Sequence, residues 1–172
     1  MGKKIRKQSS TDKPKKKKMI YTPDQSLSKM DIHYGVPICW DDEFIDLTKL
    51  RKGPGLYLAT DLSRLPLNRC KRLAISIPQS QMRFLKPQMP LLEELDLSMN
   101  GLTYVNLNQA FYPSLERLLL NGNELASATS IFQVKAIPTL REICIIANPI
   151  VTNQLELQKL RDAMPNINII TQ

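Results

Sequence analysis

Three stretches of the chain align without a gap: Leu92-EELDLSMNG-Leu102, Leu115-ERLLLNGNE-Leu125 and Leu140-REICIIANP-Ile150. Each reads L-x-x-L-x-L-x-x-N-x-L, with Ile allowed for Leu, and the starts lie 23 and 25 residues apart. A proline stands two residues before each start, at Pro90, Pro113 and Pro138. A unit this short cannot bury its own apolar face, so consecutive units must stack and share one interior. Aromatic residues are only 6% of the chain, so that interior must be aliphatic.

The pattern predicts a short parallel strand in each unit. Alternation along a strand sends Leu95 and Leu97, Leu118 and Leu120, and Ile143 and Ile145 inward. Parallel strands need a covered return path. The connecting stretches supply one with apolar residues at helix-like spacing: Val105, Leu107, Ala110 and Phe111, then Ile131, Phe132 and Val134. Short helices or 3₁₀ turns are expected there. Asn100, Asn123 and Asn148 fall where the chain leaves the strand. A buried amide at that corner can pair with backbone groups that the turn leaves over. Upstream, Cys70-KRLAISIPQ-Ser80 fits the frame loosely, with Leu73 and Ile75 at the inward positions and Pro78 in place of Asn. Leu56-Tyr-Leu58 is a further candidate strand. Downstream, Leu155, Leu157, Leu160 and Met164 predict a helix that closes the stack.

These residues resemble the leucine-rich repeat family, in the short-repeat form of protein phosphatase regulatory subunits. Asn148-Pro149 followed by Met164-Pro165-x-Ile167-x-x-Ile170 is similar to the C-terminal cap of that branch, although Thr171 stands where the cap has Asp. The branch includes spliceosomal snRNP A-prime proteins and axonemal outer-arm dynein light chains. Lys29-Met-Asp-Ile-His-Tyr34 and the Leu92 repeat also resemble the X-ray radiation resistance-associated leucine-rich repeat proteins. The resemblance implies an α/β fold. It would be a leucine-rich repeat solenoid with a short parallel β-sheet on its concave face and short helices or turns on its convex face. Three regions are expected: a basic tail over 1–28, either disordered or partner-bound, a flanking or capping segment over 29–66, and the repeats with their cap over 67–172.

Outward residues of the strands would line the concave face in columns. The first is Arg72, Glu94, Arg117, Glu142 and Ile169. The second is Ala74, Asp96, Leu119, Cys144 and Thr171, and the third is Ser76, Ser98, Asn121 and Ile146. Charges alternate down the first column and so can satisfy one another. Leu119, Cys144, Ile146 and Ile169 would leave the C-terminal half apolar, which marks either an interaction site or an edge covered by the chain's own termini.

The net charge is +8. Residues 1–18 hold Lys3, Lys4, Arg6, Lys7, Lys13, Lys15, Lys16, Lys17 and Lys18 against Asp12, which accounts for all of it. The remainder is neutral. Such a tail suits an acidic surface, namely nucleic acid, anionic lipid or an acidic protein tail. Pro14-Lys15-Lys16-Lys17-Lys18 also has the form of a nuclear import signal. The opening MGKKIRKQSS lacks the apolar core of a secretory signal, and Arg6 breaks the myristoylation pattern. No stretch approaches a membrane span.

Cys39, Cys70 and Cys144 form no CxxC pair, so reduced thiols are expected and neither zinc nor disulfides. Asp41, Asp42, Glu43 and Asp46 lack EF-hand spacing and read as an acidic helix start beside Trp40 and Phe44. Gly53-Pro54-Gly55 is a turn with no GK[ST] after it. His33 is the only histidine, and six residues separate it from Cys39 with no orienting third group in view.

No enzyme and no cofactor is therefore expected. The sequence instead predicts a scaffold that binds protein on its concave face. By analogy with the axonemal members it would sit on the ciliary axoneme or a doublet microtubule, its tail on tubulin. The alternative is a nuclear ribonucleoprotein subunit like the A-prime protein, with RNA contact confined to the phosphate backbone.

Overall fold

The computed structural model describes residues 44–48, 67–85 and 89–172. The Lys-rich tail, His33, Cys39 and the Leu56–Leu58 candidate strand lie outside the described residues. Among the described residues six strands form one sheet: β1 (Phe44–Leu47), β2 (Arg72–Ile75), β3 (Glu94–Asp96), β4 (Arg117–Leu119), β5 (Glu142–Cys144) and β6 (Asn168–Ile170). Strand order in the sheet equals chain order, and every neighbouring pair is parallel. The fold is α/β.

The inward column is continuous. Leu73, Leu95, Leu118, Ile143 and Ile169 stand opposite one another in register, and Leu95, Leu118 and Ile143 are wholly buried. Leu97, Leu120 and Ile145 are buried beside them. The return segments fold as 3₁₀ helices at Gln109–Phe111, Ala128–Ser130 and Phe132–Ala136. They close the other side of the core with Val105, Leu107, Ile131 and Val134, while Ala110 stays exposed. Tyr112 is also buried there. Its hydroxyl donates to the Leu85 carbonyl at 2.8 Å, and burial pushes its phenol above the usual range.

Three expectations change. Asp46 does not sit at a helix start: Phe44–Leu47 is a strand, with Ile45 opposite Leu73 and Leu47 opposite Ile75, while Asp41, Asp42 and Glu43 lie outside the described residues. Completing the sheet edge and burying Leu47 outweigh the helix preference of the acidic residues. The closing helix is two pieces, α1 (Pro149–Thr152) and α2 (Gln154–Ala163). The Asn153 side chain accepts from the Glu156 amide at 3.2 Å and starts the second piece. Leu157, Leu160 and Met164 are buried, but Leu155 is 66% exposed and belongs to the solvent side.

The third change is a one-residue slip in β6. Asn168 donates its amide to Arg141, Ile170 accepts from Ile145, and Ile169 therefore falls opposite Ile143. It packs partly against the core instead of joining the first outward column. The apolar side chain takes the inward place and polar Asn168 the outward one, as period-two burial requires.

The corner after each strand is built by the repeated Asn and the residue before it. Met99, Gly122 and Ala147 hold the same place in the three repeats, and all are left-handed, with φ of 59°, 62° and 56°. Only glycine adopts that conformation without strain. A Cβ at Gly122 would meet the thioether of Met99, an exposed and flexible side chain that can turn aside, so the positive φ is what calls for glycine.

Candidate functional site

The three asparagines tie the strands into one body. Asn100 donates to the Ile75 and Leu97 carbonyls, both at 2.9 Å, and accepts from the Ile77 amide at 2.8 Å. Asn123 donates to the Leu97 carbonyl at 3.0 Å and the Leu120 carbonyl at 2.8 Å. It accepts from the Asn100 and Leu102 amides, both at 3.0 Å. Asn148 donates to the Leu120 and Ile145 carbonyls and accepts from the Leu125 amide. Each amide therefore links its own strand end to that of the preceding repeat. The resulting ladder fixes the spacing of the outward columns.

On the face turned away from the core, the register places Phe44, Arg72, Glu94, Arg117, Glu142 and Asn168 in the first column. Arg117 lies between two carboxylates, 2.7 Å from Glu94 and 3.0 Å from Glu142. The Glu142 hydrogen bond, then the Glu94 charge, push its pKa upward. Because the Arg117 side chain is half exposed, this triad adds little stability, and its one cation between two carboxylates leaves it net negative. Arg72 stacks 5.2 Å from the Phe44 ring centre.

The second column is Asp46, Ala74, Asp96, Leu119, Cys144 and Ile170. Thr171 lies one place beyond it, a second consequence of the slip in β6. Asp46 and Asp96 each turn one oxygen back on the local backbone, to Thr48 and Ser98. Among the described residues no ion pair reaches either carboxylate. Cys144 is nearly buried, while Leu119 and Ile170 are half-buried.

Beyond the strands, Asn121 accepts from the Ile146 amide at 3.0 Å, so these two predicted residues are adjacent. The second column is thus divided along the stack, with Asp46 and Asp96 over β1 and β3 and Leu119, Cys144 and Ile170 over β4–β6. Sequence reasoning had no column position for Asp46, because β1 was not foreseen, and none for Ile170, because of the slip.

A second concavity lies between the 3₁₀ helices and α2, an open groove of about 580 Å³ lined in part by Phe132, Glu156 and Lys159. Glu156 accepts from Lys159 at 2.7 Å and from the Ala128 amide at 2.9 Å, which holds its carboxyl below the ordinary range. Asp162, also on the groove, accepts from the Gln158 side-chain amide at 2.7 Å. Among the described residues no three His, Cys, Asp or Glu side chains are arranged to hold a metal. No helix among them is long and apolar enough to cross a membrane. Cys70 and Cys144 are buried, and the Cys70 thiol donates to the Arg72 carbonyl at 3.0 Å. No known protein-family model matches this chain, and no curated protein sequence matches it.

Proposed function

We propose that this chain is a leucine-rich repeat solenoid acting as a non-enzymatic scaffold. On this reading the outward columns bind a protein partner while the Lys-rich tail grips an acidic surface. The observation that carries it is the outward face itself, whose order is held by the asparagine ladder. Its half-buried Leu119, Ile146 and Ile170 have no role in the core. A rigid, mixed apolar and acidic surface is what a specific partner recognises.

The resemblance to axonemal repeat proteins favours a structural subunit of the ciliary axoneme or doublet microtubule, with the tail on tubulin. The second reading, a nuclear ribonucleoprotein subunit, is favoured by Pro14-Lys15-Lys16-Lys17-Lys18 and by the resemblance to the A-prime proteins.

Co-sedimentation of the full chain with microtubules tests the first reading. Replacing Lys15–Lys18 with Glu is expected to lower the bound fraction about tenfold at physiological salt, since each lysine near an acidic surface adds attraction. Leu119→Glu with Ile146→Glu is expected to abolish partner pull-down and leave the fold intact. Equal sedimentation after the lysine change, together with a tagged chain found in nuclei, favours the second reading.

A further inference from the structure

The outward face and the tail are complementary in both charge and order. Asp46 and Asp96 lie over β1 and β3, two strands apart in the same column, with only the small Ala74 between them. Glu94 is paired with Arg117, and across β1–β3 the outward charges are Asp46, Glu94 and Asp96 against Arg72, so that half is net acidic. Leu119, Cys144, Ile146 and Ile170 form the aliphatic half over β4–β6.

The chain carries a matching segment outside the described residues, Lys15-Lys16-Lys17-Lys18-Met19-Ile20-Tyr21. Four cations are followed directly by three apolar residues. Adjacent strands lie about 4.8 Å apart, so six strands span about 24 Å, and seven extended residues at about 3.3 Å each span about 23 Å. The 22 residues between Tyr21 and Phe44 have a contour length of at most about 75 Å, which exceeds the roughly 24 Å width of the sheet and lets the segment reach the face.

We propose that residues 15–21 dock on this face of their own chain. The lysines lie over Asp46 and Asp96, and Met19, Ile20 and Tyr21 lie over the aliphatic half. The consequence deepens the reading above and rests on it: the tail and the face mask each other. A partner seated on the face releases the lysines for an acidic surface, and an acidic surface that draws off the lysines uncovers the face. The two binding events therefore help one another.

The test places a benzophenone amino acid at position 21 of the full-length chain and irradiates it at micromolar concentration. Adducts within one chain at Leu119, Ile146 or Ile170 are expected. Their yield is expected to fall about fivefold at roughly 0.5 M salt. It should fall similarly in Asp46→Asn with Asp96→Asn, which keeps the oxygens that accept from Thr48 and Ser98.

Adducts scattered over the return segments overturn the proposal. Adducts on the same residues but between two chains overturn it too, as does a yield that the double asparagine variant leaves unchanged. The readout needs neither microtubules nor a partner, so a failure of docking is distinguished from a failure of the scaffold reading.

Discussion

Asn123→Ala is expected to lower the thermal unfolding midpoint by about 15 °C or to remove the cooperative transition. The change strips hydrogen bonds from four buried backbone groups at once, the Leu97 and Leu120 carbonyls and the Asn100 and Leu102 amides. Leaving a buried group unpaired costs about 1–3 kcal/mol, so a total of about 4 kcal/mol is a conservative sum. That is a large share of the stability of an ordinary domain. Asn121→Ala is the control. Its half-buried side chain accepts only from the Ile146 amide, and its removal is expected to cost no more than about 1 kcal/mol.

Leu118→Ala is expected to cost about 3 kcal/mol, read as a lower urea midpoint with an unchanged slope. Leu118 is fully buried between Leu95 and Ile143 in neighbouring strands. Leu119→Ala, one residue on, is expected to cost less than about 1 kcal/mol, because that side chain points to the outward face. A large effect at both positions, or at neither, would mean the strand does not alternate.

The repeat made the inward column legible before any coordinates. Leu95, Leu118 and Ile143 sit at one frame position, and period-two burial leaves them a single direction. Asn100, Asn123 and Asn148 were legible for a related reason, since a polar residue recurring among aliphatic ones must be paired. The ends of the sheet were less legible. At β1 the string of carboxylates before Leu47 carried a local helix signal, and only pairing with β2 overrides it. At β6 the cap sequence offers Ile167, Ile169 and Ile170 in close succession, so two registers fit the pattern. The choice is made by the Asn168 and Ile170 backbone bonds to the preceding strand. Tyr112 was missed because nothing in its spacing sets it apart from other linker residues. What buries it is a carbonyl 27 positions away.

The left-handed corners show a similar limit. Gly122 announces a positive φ by its identity, but Met99 and Ala147 hold the same conformation against their own preference. The asparagine ladder supplies the compensation, since each corner is pinned by the amide of the following residue. The repeated position, not the residue type, determines the backbone there.

Methyl-labelled Leu and Ile in the full chain offer the most direct measurement. Short-range cross-peaks are predicted from Leu95 to Leu118 and from Leu118 to Ile143, with Leu119 showing none to either neighbour's core methyls. Absence of those contacts, or a pattern of neighbours three and four residues apart within residues 92–100, would contradict side-by-side strands sharing one interior.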